Sequence, residues 1–253
     1  MTNVPDREWR VLHDLITTRM SVRRFKTDPI PDDAVEKILE VARWAMSGAN
    51  SQPWEFIVVK DPAIKRRLRD AYSEYNTDYI FWMEQQREHN LRHPSYQVKG
   101  DPQEQLKLNK SKANWHLAPA LIVVLGDGRR QWGTVMGAHT FGRDQSHLTD
   151  GLANASFLIH LAAASLGLVS EWVSIHIQEP FKRILGVPDL LTLYLIIPIG
   201  LPDVEPRPGV RRPLEEIVHY DHYDMSKYMS NEESLRYLYR LRETTLTKYS
   251  SSR

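Results

Sequence analysis

The sequence predicts an α+β or α/β sandwich, a sheet with helices packed on it. Four short apolar runs read as strands: Trp54–Val59, Ala120–Leu125, Val169–Ile177 and Leu191–Ile199. Long stretches with helical spacing of apolar residues separate them, which makes the chain helix-rich and strand-poor. No repeat and no linker between independent cores interrupts this order, so residues 1–253 read as a single domain.

The elements follow from local signals. Asp6 to Thr18 carries Trp9, Leu12 and Ile16 at helical spacing, predicting a helix with those residues inward. Pro31-Asp32-Asp33 is a helix start, and Val35, Ile38, Leu39, Ala42, Ala45 and Met46 follow, with Gly48 in the place of a C-terminal cap. Trp54–Val59 is β-branched and apolar, and Asp61-Pro62 ends it and opens another helix. From Ile64 to about Leu117 the pattern is helical but polar. The two prolines and the glycine between Asn90 and Gln103 predict a connection, so residues 72–117 could form a lid. The small-residue run from Leu152 to Val169, interrupted by Asn154 and His160, reads as a tightly packed helix, and its alanines suit close approach of a second subunit. Ser230-Asn231-Glu232-Glu233 is a capping box, and the helix after it would turn Leu235, Leu238 and Leu241 inward, within a C-terminal extension over 225–253.

Composition excludes several classes. The chain has no cysteine, which removes disulfides, thiol nucleophiles and thiolate metal sites. Redox chemistry would therefore need an organic cofactor, or a metal held by His and carboxylates. A net charge of +1 gives no footprint for nucleic acid or an anionic membrane. The N-terminus lacks the apolar run of a signal peptide, and no segment has the length and apolarity of a membrane span, so a soluble, cytoplasmic protein is expected. His219, Asp221, His222 and Asp224 could in principle bind a metal, as could His139 and His147. The tail group reads better as a polar, aromatic surface turn, and no metal is expected.

Two segments carry chemistry. Arg19-Met20-Ser21-Val22-Arg23, if extended, puts Arg19, Ser21 and Arg23 on one side, and guanidinium forks with a hydroxyl suit a phosphate dianion. Alone, it reads more readily as a solvated basic turn after a helix. Ser47-Gly48-Ala49-Asn50-Ser51-Gln52-Pro53-Trp54 joins helix to strand through small residues and two primary amides. Such a loop can approach a flat ring and read its polar edge, or be no more than a cap and a turn.

In this order and spacing, RMSVRRFKTDPIPDDAVEKILEVARWAMSGANSQPWEFIVVKDP resembles the N-terminal signature of the nitroreductase family of flavoproteins. The resemblance continues through Asp150, Gly167-Leu168-Val169, Trp172, Ile199-Gly200-Leu201-Pro202 and Arg211-Arg212-Pro213-Leu214, covering residues 15 to 220. It implies a central, mainly antiparallel sheet flanked by helices, in a homodimer with FMN at the subunit interface. Arg19, Met20 (through its backbone), Ser21 and Arg23 would hold the phosphate and ribityl chain, with Arg211 completing the phosphate site. Ser47, Gly48, Asn50 and Gln52 would come from the neighbouring subunit. Trp172, Val173 and Ser174 would lie along the flavin, and Ala49 would face the substrate. Ser174 falls where the iodotyrosine deiodinase branch has a threonine whose hydroxyl reaches N5, which would make it the catalytic contact unless that hydroxyl bonds its own strand or water. Met20 stands where the family commonly has a basic residue, and Met46 where it commonly has proline. No Gly-rich dinucleotide fingerprint follows a strand, and NAD(P)H as electron donor is implied by the resemblance alone.

The middle of the chain resembles the iodotyrosine deiodinase branch, which folds a lid over FMN. Lys112 falls where that branch places a lysine for the substrate's carboxylate, and Tyr79 lies close to its lid tyrosine. Asn76 and Ile80 occupy the gapless positions of the lid's glutamate and tyrosine. The function expected is an FMN-dependent oxidoreductase passing electrons from NAD(P)H to a nitroaromatic, quinone-like or halogenated aromatic substrate. Reductive dehalogenation like that of the deiodinases, and flavin binding without turnover, are the alternatives.

Overall fold

The structure, a computed structural model, describes residues 6–130, 144–205, 209 and 211–250. They group into two compact units. The first comprises residues up to 77 and from 112 to 208, and the second 78–111 and 209–253.

The first unit is built on one antiparallel sheet. Its strands are β1 (Trp54–Val59), β2 (Ala120–Asp127), β3 (Val169–Ser170), β4 (Val173–Ser174) and β5 (Leu191–Gly200), in the order β1-β2-β5-β3 with β4 also on β5. Helices cover both faces, so the two inner strands are apolar at nearly every position rather than alternating. On one face, Ile122, Val124, Leu195 and Ile197 pack on α2 (Ala34–Ala42) and α6 (Asp144–Ser165). On the other, Leu121, Val123, Leu193 and Ile196 pack with Leu68 of α3 (Pro62–Ala71) and with Phe181 of α7 (Glu179–Leu185).

The single strand predicted over Val169–Ile177 is broken. Its register is nevertheless unchanged across the break: Val169 faces Gly200, Ser170 faces Ile199, Val173 faces Ile196 and Ser174 faces Leu195. Continuing that register puts Glu171 opposite Pro198, a residue with no N–H to offer the ladder. The interruption thus falls where a backbone donor is missing, and it leaves Glu171 and Trp172 between two short strands.

Other elements depart from expectation. Helix α1 (Asp6–Thr18) has the predicted bounds, but Trp9, Leu12 and Ile16 are exposed rather than inward. Helix α2 stops at Ala42, capped by the Arg43 N–H, so Gly48 is not its C-cap. In α6, Ala155, Ala162 and Ala163 are buried in the chain's own core, leaving Phe157 and, just past the helix end, Leu166 outward. The helical pattern after α3 runs through a π-helical turn, Tyr72–Asn76, before α4 (Thr77–Gln85).

In the second unit, Phe81 is fully buried and meets Trp82 and Tyr96 edge-on, while the Gln85 amide donates to the Tyr96 carbonyl at 2.9 Å. Residues 90–103, read as a loose connection, hold two short 3-10 turns, and α5 (Pro102–Lys110) starts at an Asp101 cap. The capping box forms: Glu233 accepts from the Ser230 N–H and Ser230 accepts from the Glu233 N–H, opening α8 (Asn231–Ser250). Leu235 and Leu238 of α8 are exposed, contrary to the inward face predicted. Their spacing would mark a buried stripe only with a partner surface to cover it.

Candidate active site

The basic segment leaves α1 and runs along the end of the sheet. Ser21 makes a parallel bridge to Ser170, and the Val22 N–H donates to the Ser170 carbonyl at 3.1 Å. Further on, Phe25 bridges Pro202 and the Lys26 N–H donates to the Leu201 carbonyl. Val22 and Phe25 are buried anchors, so Ser21 and Arg23 are held on the outer side, as the extended reading predicted. Arg19 and Met20 are half-buried and line a cleft of about 170 Å³ with Ala164, Gly167 and Ser170. Two segments some 150 residues apart in sequence are thus brought to one sheet edge.

A buried polar group underlies this edge. His160 of α6 is almost fully buried, its Nδ1 is 2.6 Å from the Ser170 hydroxyl, and its ring stacks on Trp172. Burial, with the positive charge of Arg19 adding to it, pushes His160 down to about 4, so it is neutral near pH 7. Trp172 also meets the Tyr194 ring edge-on, which fixes its plane from two sides. Glu171, largely buried at the strand break, lies 3.4 Å from the Arg23 guanidinium.

The amide loop is built differently. Ala49, Asn50 and Gln52 all have positive φ, a conformation that costs non-glycine residues free energy and clusters at functional sites. The loop is fixed from within: the Gln52 N–H donates to the Ser47 hydroxyl at 3.0 Å, and the Gln52 amide to the Asn50 carbonyl. Helix α6 supports it from below. The Asn154 amide donates to the Met46 carbonyl at 3.0 Å, and a Cβ at Gly151 would come within 3.1 Å of the Pro53 ring. Gly48, Ala49, Asn50 and Gln52 are exposed and Ser47 half-buried.

Loop and basic segment are not brought together within one chain. Gly151, against the loop, and Ala164, lining the Arg19 cleft, lie on the same helix about 20 Å apart at 1.5 Å per residue.

Ser174 is half-buried on β4, next to buried Val173. Its backbone is clamped by Asn76, which is fully buried at the end of the π-helical turn. The Asn76 amide donates to the Ser174 carbonyl at 3.0 Å, and its carbonyl accepts from the His176 N–H at 2.6 Å and from that of Ile177. The position that the deiodinase resemblance gives to the lid's glutamate is therefore occupied by an inward strap. Lys112 and Tyr79 are exposed, Tyr79 in the second unit. Arg211 is exposed and also belongs to the second unit. Among the described residues, no three His, Asp or Glu side chains gather as metal ligands would, and His139 lies outside them. His219 stacks on Tyr223 and accepts from the Asp224 N–H. No helix among the described residues is long and apolar enough to cross a membrane.

Sequence reasoning missed Asn76, Glu171 and the role of His160. His160 did leave a signal, since it and Asn154 are the polar interruptions of an apolar helix. Asn154 ties that helix to Met46 at the start of the amide loop, and His160 ties it to Ser170, the bridge partner of Ser21.

The sequence profile of the nitroreductase family matches residues 16–201. The chain belongs to the nitroreductase family. Among curated relatives it is similar to iodotyrosine deiodinase 1 of Sus scrofa, with 28% identity over 229 residues, 86% of this chain and 72% of that protein. It is equally similar to an NADH dehydrogenase of Thermus thermophilus, with 28% identity over 204 residues, 79% of this chain and 91% of the other. Among solved structures, an oxidized iodotyrosine deiodinase bound to FMN and 3-iodo-L-tyrosine superposes with a TM-score of 0.61 at 25% identity, covering 84% of this chain and all of that one. A nitroreductase family protein from Clostridium difficile superposes with a TM-score of 0.55 at 26% identity, covering 83% and 98%. The α+β sandwich with a central antiparallel sheet is thus the nitroreductase fold.

Proposed function

We propose that this member of the nitroreductase family is an FMN-dependent oxidoreductase acting as a homodimer on a small aromatic substrate. The observation that carries the proposal is the single sheet edge shared by Arg19, Ser21 and Arg23 and by the bend from Ser170 to Ser174. The donor set fits a phosphate ester attached to a flat ring: two guanidinium groups and a hydroxyl where the chain leaves α1, beside a strand break that carries a held indole and a short strand with Ser174. Arg211 is assigned to the phosphate on the resemblance alone.

Bound FMN would supply a carrier that accepts a hydride and returns electrons singly or in pairs. The protein's own part is to bind and orient. Arg19, Ser21, Arg23 and the Met20 backbone take the phosphate and ribityl chain, Trp172 and Val173 back the ring, and the Ser174 hydroxyl faces N5. The strained loop with Ser47, Gly48, Asn50 and Gln52 comes from the second subunit, a reading supported by the separation of loop and basic segment along α6. Ala49, Tyr79 and Lys112 are proposed to face the substrate. NAD(P)H is the proposed electron donor, and a nitroaromatic, quinone-like or halogenated aromatic compound the acceptor. Specificity for iodotyrosine is not proposed, because the Asn76 amide is already engaged by the Ser174–Ile177 backbone.

The test is aerobic purification with an absorbance spectrum and identification of the released chromophore, followed by anaerobic reduction with NADH or NADPH and rapid mixing with a panel of nitro-, quinone and haloaromatic compounds. Bound FMN that is reoxidised faster by one class than by buffer supports the proposal. A colourless protein that does not bind added FMN overturns it. Bound FMN that no acceptor reoxidises would instead establish a flavin-binding protein without turnover.

A further inference from the structure

We infer that Glu171 tunes the affinity of this site for the FMN phosphate by competing for the Arg23 guanidinium, so that cofactor binding is coupled to proton uptake. The inference rests on the FMN reading above. Its basis is the placement of one carboxyl group. Glu171 sits in the break opposite Pro198, where the chain leaves the ladder between β3 and β4. One of its oxygens is 3.4 Å from Arg23 Nε, while the other is buried with no hydrogen-bond partner. The Arg23 side chain is 65% exposed and that of Glu171 only 12%. An exposed cation thus leans over a nearly buried, half-satisfied acid, on the segment proposed to receive the phosphate.

An ionised carboxylate in that position is costly while one oxygen goes unpaired, and protonation relieves the cost. Burial pushes the Glu171 carboxyl up to about 7 against the opposing pull of Arg23. The other titratable and charged groups on the elements around the bend are Arg19 after α1, His160 on α6 and Tyr194 on β5. Arg19 keeps its charge throughout. His160 is held down at about 4, and burial pushes Tyr194 upward with Asp150 adding to it, so neither changes state between about pH 6 and 8. Within that window Glu171 is the group of this set that titrates.

The sign follows from the charges. Ionised Glu171 draws Arg23 toward itself and places a negative charge beside an arriving dianion, and both effects oppose the phosphate. Neutral Glu171 releases Arg23. Bound phosphate must then raise the carboxyl's pKa further, so binding takes up a proton and affinity falls as pH rises through about 7. The phosphate has its own ionisation near pH 6, of opposite sign, because the dianion is the better ligand. The variant comparison separates the two.

The experiment is titration of the flavin-free full chain with FMN, followed by flavin fluorescence, for wild type and Glu171→Gln. The two should bind FMN within about twofold of each other near pH 6. Near pH 8.5 the variant should bind about tenfold more tightly, the effect of roughly one pKa unit of coupling. With riboflavin, which lacks the phosphate, the variants should not diverge. Parallel pH profiles for FMN, or the same divergence with riboflavin, overturn the inference. Calorimetry of FMN binding to wild type near pH 7, in buffers of different ionisation heat, covers the case of a variant that fails to fold. Net proton uptake supports the coupling and net release overturns it. Failure of wild type to bind FMN at any pH would refute the FMN reading itself, which the first titration registers separately.

Discussion

Arg19 and Arg23 flank the same serine but sit in different surroundings, Arg19 half-buried at the cleft and Arg23 exposed over Glu171. Each replaced by alanine should weaken FMN binding by about 1.5–3 kcal/mol, the worth of a charge-assisted contact. Equilibrium dialysis checks this, and undiminished occupancy in both variants removes the segment from the phosphate site. Ser174→Ala should alter the separation between the first and second one-electron potentials of the bound flavin, by an amount equivalent to about 0.5–1.5 kcal/mol. Spectroelectrochemistry that finds no change takes the Ser174 hydroxyl out of the mechanism. At this scale, the alternation that turns Ser21 and Arg23 outward from buried Val22 and Phe25 was legible. Glu171 was not, because its neighbour Arg23 lies 148 positions away and meets it only through strand register.

Asn76 ends one element and fastens another. Without its side chain, the part-buried carbonyl of Ser174 and N–H of His176 would lose their Asn76 partner, so Asn76→Ala should cost about 1–3 kcal/mol, measured by urea denaturation. A loss below about 0.5 kcal/mol, the usual range for a surface change, would show that water replaces the strap without penalty. His160 and Glu171 make opposite demands on pH. His160 has a folded pKa near 4 against an ordinary 6.5, so between those values the unfolded chain binds a proton the folded chain refuses, and stability is lost as pH falls. Glu171 has a folded pKa near 7 against an ordinary 4.5, so the folded chain holds a proton the unfolded chain releases, and stability is lost as pH rises. Between pH 4.5 and 6.5 the two slopes cancel. Glu171→Gln should expose the His160 slope, with stability rising by up to about 1.4 kcal/mol per pH unit relative to wild type across that window. Identical denaturation midpoints against pH for the two proteins would contradict it. The bounds of helix α1 and strand β1 were legible to the residue, although the face of α1 that its period marks as inward is exposed. The break between β3 and β4 was not read, although Pro198 inside a predicted strand is the kind of signal that marks one.

The fold was legible as a whole because a two-sided sheet writes long apolar runs that helical periods then separate. What the exposed faces do was not, since spacing reports amphipathicity and is silent about what covers it. Trp9, Leu12 and Ile16 line one exposed side of α1. With the α6 geometry, they support the expectation of a second copy burying on the order of 2,000 Å². Sedimentation should find a two-chain species. Trp9→Glu combined with Leu12→Glu should shift it toward monomer and release flavin, because a lone chain keeps the amide loop and the basic segment apart. A monomer that still holds FMN would show that one chain suffices.

Pro198 also bears on how this protein could be engineered. A β-branched residue there, such as Pro198→Val, would restore the missing donor and let the strand from Val169 to Ser174 zip into one uninterrupted ladder. Such a repair is expected to raise the melting temperature while drawing Glu171 and Trp172 back into the pleat. The variant should therefore be the hardier protein and the poorer flavin binder, its resilience gained by erasing a flaw on which activity depends. A variant that gains in both respects would mean that the gap in the ladder is incidental to the site.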